Sequence, residues 1–274
     1  MRLGIFAKTF SGSVPLTVLQ AVKDAGYDVT QFNMACAGLP AMPDEITAET
    51  IDAIRTAVAE TGVDIVALSG TYNMIHPDKA VRETGLRRLG VMLEAARTLG
   101  IPLVTLCTGT RDPVDQWAHH PDNATPEAWA DLLTEMGKAV ALAEKAGVDL
   151  GIEPEQANVV TSAEDGIRLV QAVGSERIRF VLDPANLFEH ADRDTARGIV
   201  AGAVETLAGR IAMAHAKDRK ADGRFATAGT GIVDFPDFFA RLRQAGFDGP
   251  VVTHGLTAEE AIGVARHLSG LLAP

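Results

Sequence analysis

Eight short apolar runs, each followed by a stretch of helical periodicity, constrain this chain more than any other feature. The runs are Leu3–Ala7, Val29–Phe32, Asp64–Ser69, Pro102–Cys107, Asp149–Glu153, Ile178–Asp183, Ile211–His215 and Pro250–His254. They recur roughly every 26–47 residues and are about four to six residues long, which suits strands buried on both faces. Four share similar lead-ins: Ala25-Gly26-Tyr27-Asp28, Thr61-Gly62-Val63-Asp64, Ala146-Gly147-Val148-Asp149 and Ala245-Gly246-Phe247-Asp248. Glycine in these positions suits a helix C-cap just before the next strand. Between the runs, apolar residues at three- and four-residue spacing predict helices over Val14–Ala25, Ala48–Glu60, Lys79–Leu99, Pro126–Ala146, Ala163–Val173, Ala196–Leu207, Phe235–Ala245 and Thr257–Leu272. Thr47, Thr125 and Ser162 are suitable N-caps for three of them.

Eight strands alternating with eight helices in 274 residues predict a single-domain α/β fold, a (β/α)8 TIM barrel over residues 1–274. An open doubly wound sheet is the alternative. It calls for a glycine-rich phosphate loop after the first strand. The sequence there, Lys8-Thr9-Phe10-Ser11-Gly12-Ser13, has neither a G-x-G-x-x-G pattern nor a Walker lysine.

Composition excludes several classes. Hydrophobic residues make up 47% of the chain, too many for a disordered protein. Lys and Arg total 25 against 36 Asp and Glu, a net charge of −11 that argues against nucleic-acid binding. The two cysteines, Cys36 and Cys107, form neither a disulfide framework nor a zinc-finger spacing. No run approaches the ~18 apolar residues of a membrane helix, and the opening apolar run is too short for a signal sequence. The expectation is a cytoplasmic protein with no membrane or nucleic-acid partner and a possible homo-oligomer.

In a barrel of this kind, active sites are built at the C-terminal ends of the strands. Runs five to eight end in Glu153, Asp183, His215 and His254. Two carboxylates and two imidazoles at neighbouring strand ends predict a shared divalent cation, because lone buried carboxylates are costly. Singly, each of the four could equally be a turn or core residue. Lys217, two residues past His215, is a candidate for proton transfer. The loop after run four carries Arg111, Trp117, His119 and His120, expected as a substrate wall, with Trp117 as its stacking face. His76, in the loop after run three, is a similar candidate.

The segments Gly151-Ile152-Glu153-Pro154 with Asn158, Val181-Leu182-Asp183-Pro184-Ala185-Asn186, His215-Ala216-Lys217-Asp218 and Gly246-Phe247-Asp248-Gly249-Pro250 extend this reading. Together they resemble the sugar phosphate isomerase/epimerase proteins of the xylose-isomerase-like barrel superfamily. The resemblance implies one divalent metal, manganese first, with magnesium, cobalt, zinc or iron as alternatives. It is held by a Glu, an Asp, a His and a second Glu from strands five to eight. The first three fall on Glu153, Asp183 and His215. It also implies that two Glu residues flank the substrate carbon and pass its proton. Here the second Glu is replaced by His254, expected as fourth ligand or as base, and a His common three residues after the Asp is replaced by Asn186. Asn158 and Asn186 are expected as substrate contacts.

The expected function is a metal-dependent isomerase or epimerase acting on a keto-sugar, polyol derivative or sugar phosphate through an enediolate. A lyase or dehydratase on a related sugar or keto-acid is the alternative, since it needs only one strong base. A DNA-repair nuclease of the same superfamily would need further histidines that this chain lacks. A non-catalytic sugar-binding barrel is the remaining reading.

Overall fold

The computed structural model describes residues 1–272; the last two residues of the expected 1–274 span lie outside the described residues. Eight parallel strands close into a barrel: β1 (Arg2–Phe6), β2 (Val29–Phe32), β3 (Asp64–Ser69), β4 (Leu103–Leu106), β5 (Asp149–Ile152), β6 (Ile178–Leu182), β7 (Ile211–Ala216) and β8 (Pro250–Thr253). Each strand pairs with its sequence neighbours, and β1 closes on β8 with Leu3 opposite Val251 and Ile5 opposite Thr253. Eight helices alternate with the strands: α1 (Pro15–Asp24), α2 (Ala48–Thr61), α3 (Lys79–Leu99), α4 (Pro126–Ala146), α5 (Ala163–Val173), α6 (Arg193–Thr206), α7 (Phe235–Gln244) and α8 (Ala258–Leu272). Among the described residues no helix is long and apolar enough to cross a membrane.

Local chemistry sets the boundaries. The hydroxyls of Thr47, Thr125 and Ser162 accept from backbone N–H groups in the first turns of α2, α4 and α5. Gly62 and Gly147 end α2 and α4 in the left-handed conformation that a Cβ disfavours. Helix α6 starts at Arg193, three residues before the periodicity suggests, because the Asp192 carboxylate accepts from Thr195 N–H at 2.7 Å. Strands β1 and β4 to β6 stop one residue short of the apolar runs, as does β8, whereas β7 runs one residue further. The sequence pattern does not reveal two short antiparallel strands, Asp218–Arg219 and Phe225–Ala226, that form a flap after β7.

The strand period of two explains the position of the rim residues. Ala67, Leu103, Val181, Met213 and Val252 form a small apolar cluster separate from the main core, which lies between strands and helices. This cluster fills the barrel interior. Two residues further along the same strand faces stand Ser69, Thr105, Asp183, His215 and His254. Their side chains therefore point inward at the C-terminal mouth, above an apolar plug.

Gly109, just past β4, adopts φ +83°, and a Cβ there would stand 2.8 Å from Met74 N and 3.1 Å from Ile75 N. Its own N–H donates to Asn158 Oδ1 at 2.6 Å, so the loops after β4 and β5 meet at this residue. Gly109→Ala is expected to destabilise the fold by about 2–4 kcal/mol, combining left-handed strain with overpacking against backbone. The midpoint of urea unfolding measures this, and an unchanged midpoint would contradict the role given to Gly109.

Candidate active site

Asp183 follows β6 and is fully buried. Its Oδ1 accepts from Ala185 N–H at 2.9 Å, which caps a short helical turn. Its Oδ2 accepts from His254 Nε2–H at 2.9 Å and lies 3.2 Å from Lys217 Nζ. Burial pushes this carboxyl up, but the Lys217 ammonium and the two imidazoles outweigh it and hold it well below the ordinary carboxylate range. Glu153 follows β5, with Oε1 accepting from Asn186 Nδ2 at 2.7 Å. Burial opposes its ionisation, yet His215 brings its pKa below the usual value. His254 is shifted down, by burial and by the neighbouring His215, whose ring centroid is 4.4 Å away, which favours the neutral imidazole.

His215 is oriented from the far side of the barrel. Its Nε2–H donates to Gln31 Oε1 at 2.9 Å. The Gln31 amide is held in turn by donating Nε2–H bonds to Ser69 Oγ (3.0 Å) and Thr105 Oγ1 (3.2 Å). These three polar residues come from β2 to β4, and the pairing of β2 with β3 shifts register at Thr30/Gln31, a bulge that re-aims the side chain. With Nε2 protonated, His215 Nδ1 offers a lone pair. It faces Glu153 Oε1 at 3.3 Å and Asp183 Oδ2 at 3.8 Å. A nitrogen lone pair facing two carboxylate oxygens is an arrangement that a cation would satisfy. One ligand atom from each of Glu153, Asp183, His215 and His254 lies within 4.8 Å of the others. Two carboxylates that balance a divalent charge and two neutral nitrogen donors make a chemically suitable set.

The cluster opens into a cleft of about 490 Å³, lined among others by Lys8, Gln31, Trp117, Glu155, Lys217 and Phe225. Glu155 stands one strand repeat beyond Glu153, and burial with the nearby Glu153 charge pushes its carboxyl up to about 7. Cys107 also lines the cleft, but burial raises its thiol to about 12, so it is no nucleophile at neutral pH.

The other expected contacts divide. Trp117 lines the cleft with 53% of its surface exposed. Asn186 also lines it, but both ends of its amide are engaged, Nδ2 by Glu153 and Oδ1 by Lys217 Nζ at 2.6 Å. Arg111 does not reach the cleft: its guanidinium donates to Asp131 Oδ2 (2.8 Å) and Ile75 O (3.0 Å), tying the loop to α4. His120 Nδ1 accepts from Asp122 N–H, and His76 Nδ1 accepts from Asp78 N–H, so both serve their own loops. Asn158 is buried behind the cleft, where its Nδ2 donates to Glu155 Oε2 at 3.3 Å. Gln31 and Glu155 are the members that sequence reading passes over. Gln31 looks like an ordinary strand residue, and Glu155 was detectable only as the next inward position after Glu153.

The pattern of the xylose isomerase-like TIM barrel family matches residues 19–268. The chain belongs to this family. A curated relative, L-ribulose-5-phosphate 3-epimerase UlaE of Escherichia coli O157:H7, is 27% identical over 255 residues, covering 90% of this chain and 84% of the relative. The crystal structure of 3-keto-D-glucoside 4-epimerase YcjR from E. coli superposes with a TM-score of 0.77 at 17% identity, covering 99% of this chain and 98% of that one. A structure of L-ribulose 3-epimerase gives a TM-score of 0.76 at 21% identity, covering 99% and 94%.

Gln31→Leu is expected to weaken divalent-ion binding by about 10- to 100-fold, the size typical of losing a residue that orients a ligand. Competition of Mn²⁺ against a chelator measures this directly. Equal affinity in the two proteins would show that the amide does not set the His215 ring.

Proposed function

We propose that the protein is a divalent-metal-dependent isomerase or epimerase acting on a keto-sugar, polyol derivative or sugar phosphate. The observation that carries the reading is Glu153. Its carboxylate is kept ionised at the floor of a sugar-sized cleft, beside a four-donor cluster. The family membership supports it, as does the curated relative, itself named a sugar epimerase. Glu153, Asp183, His215 and His254 would hold the ion, with manganese as the first choice and magnesium, cobalt, zinc or iron also suited to the donors. When bound, the ion supplies polarisation of a carbonyl and its neighbouring hydroxyl.

The protein's own groups do the remaining work. Glu153 takes the proton from the carbon beside the carbonyl. Inversion needs a second acid/base group, and the eighth strand offers no carboxylate for it. His254, placed among the residues that would hold the ion, is not free to serve. Lys217 is the better candidate: it lines the cleft, and its ammonium hydrogen-bonds to the same Asn186 amide that holds Glu153. Trp117 offers an apolar face for the sugar ring or chain.

The same observation on His254 favours one second reading, a lyase or dehydratase. There Glu153 removes the proton and the Lys217 ammonium protonates the departing hydroxyl.

The test is turnover of L-ribulose and its 5-phosphate with Mn²⁺ in D₂O. The expected result is an epimeric or isomeric product carrying deuterium at the exchanged carbon. Glu153→Gln and Lys217→Met should each lose about 10²–10⁴-fold in kcat, with ion content retained in Lys217→Met. A dehydrated product in place of an epimer assigns the lyase reading. Full activity in Glu153→Gln overturns both.

A further inference from the structure

A second cavity, of about 790 Å³, lies beside the catalytic cleft, between the loop after β3, the first half of α3 and the loop after β4. The cavity and the cleft share Met42, Thr71, Gln116 and Trp117, so these four residues form the boundary between them. Trp117 is 53% exposed, which makes that boundary a solvent-facing ridge that a bound molecule can cross. Among the described residues, the Thr71 hydroxyl and the Gln116 amide make no hydrogen bond within the chain. The ridge thus presents one aromatic side chain and two unengaged polar groups to whatever lies across it.

The loop that carries Gln116 and Trp117 is fixed by its own hydrogen bonds. Asp112 Oδ1 accepts from the N–H groups of Val114 and Asp115, each at 2.8 Å, and Asp115 Oδ1 accepts from Trp117 N–H at 2.9 Å. Two residues of the facing loop pin it further. His76 Nε2–H donates to Pro113 O at 3.2 Å, and Asn73 Nδ2 donates to Thr110 O at 2.8 Å. The ridge is therefore held in advance of any ligand, which lowers the ordering cost of binding one.

The lining selects among ligands. Val81 and Val114 line the cavity with exposed apolar surface, 93% of it in the case of Val114, and the Thr84 hydroxyl is unengaged between apolar neighbours. Apolar faces interleaved with free hydrogen-bonding groups suit a sugar ring, which is apolar on its faces and polar at its edges. Charge argues against an anionic occupant. Arg88 is the one Lys or Arg among the described lining residues, and its Nε and Nη2 already donate to Asp44 at 2.9 and 3.0 Å. Asp112 and Asp115 leave the wall negative, which repels a phosphate or a nucleotide. We propose that this cavity is a subsite for a glycosyl group attached to the reacting sugar, so that the substrate is a neutral glycoside. The reacting end occupies the cleft with Glu153, the linkage crosses the ridge at Thr71 and Gln116, and the second ring lies against Val81 and Val114. This rests on the reading of the cleft as a sugar-processing site, and it narrows the substrate of that site.

The experiment is calorimetry on the Mn²⁺-loaded protein with D-fructose and two of its glycosides, isomaltulose and lactulose. Both disaccharides leave the carbonyl and the neighbouring hydroxyl of the ketose unsubstituted. At least one is expected to bind about 10-fold more tightly than D-fructose, the size of one or two net neutral hydrogen bonds. Val81→Asp replaces an apolar wall by a solvated charge, and Thr84→Arg fills the cavity from the helix. Both residues lie in the first turns of α3 and line the second cavity but not the cleft. Each variant should abolish the disaccharide gain while D-fructose affinity and manganese content stay unchanged, and either one stands in if the other does not fold. No binding of any of the three sugars, equal affinity for all three in wild type, or a gain that survives both variants overturns the proposal. So does an oligomer that dissociates in both variants without a change in sugar affinity, which gives the cavity to a second copy of this chain. A disaccharide gain with no deuterium exchange into any ketose keeps the subsite and removes the epimerase reading. Deuterium exchange into L-ribulose by a protein with no preference for a glycoside does the opposite.

Discussion

Two carboxylates buried side by side set the terms for the rest of this molecule. Glu153 and Asp183 are withdrawn from water at the mouth of the barrel, where an unbalanced negative charge would cost more than a domain of this size can spare. The surroundings answer that requirement residue by residue. Lys217 and His254 contact Asp183, Asn186 and His215 contact Glu153, and the amide of Asn186 links Lys217 to Glu153. Such an arrangement needs every donor fixed in place, since a half-satisfied network is worse than none. The closed barrel meets that need because each of the four ligand-type residues sits at, or immediately after, the end of a strand hydrogen-bonded on both edges.

The resemblance in sequence implies a glutamate where this chain has His254, and that difference changes the balance in this network. A fourth carboxylate beside Glu153, Asp183 and Glu155 would crowd the floor with negative charge. An imidazole with a lowered pKa adds a donor without adding charge. In the proposed reaction the same difference leaves Lys217 as the candidate for the second acid/base group. One substitution therefore bears on both the electrostatics and the chemistry.

The four cluster residues were legible in the sequence because a strand buried on both faces reads as an apolar run, and the residue that ends the run is the one that reaches the rim. Asp183 after Ile178–Leu182 and His254 after Pro250–Thr253 show this directly. The helix limits Lys79–Leu99, Pro126–Ala146 and Ala163–Val173 were legible too, since caps and periodicity agree there. What escaped was set by contacts distant in sequence. Gln31 acquires its part only through His215, 184 positions away. Arg111 has the composition of a substrate contact, but Asp131 on α4 captures it. Two-residue strands carry no periodicity, so the flap that holds Arg219 and Phe225 left no trace in the pattern.

The reach of Gln31 across the barrel has a consequence for how such proteins diversify. The ligand-type residues all come from the second half of the chain, but the tautomer of one is set by Gln31, Ser69 and Thr105 from the first half. The two halves are therefore not interchangeable modules. A first half recombined from a relative would bring its own residue to the Gln31 position, and ion affinity would follow that residue though every ligand stayed the same. Loops on the first half can drift with specificity, while three inward side chains on its strands are bound to the fate of the second.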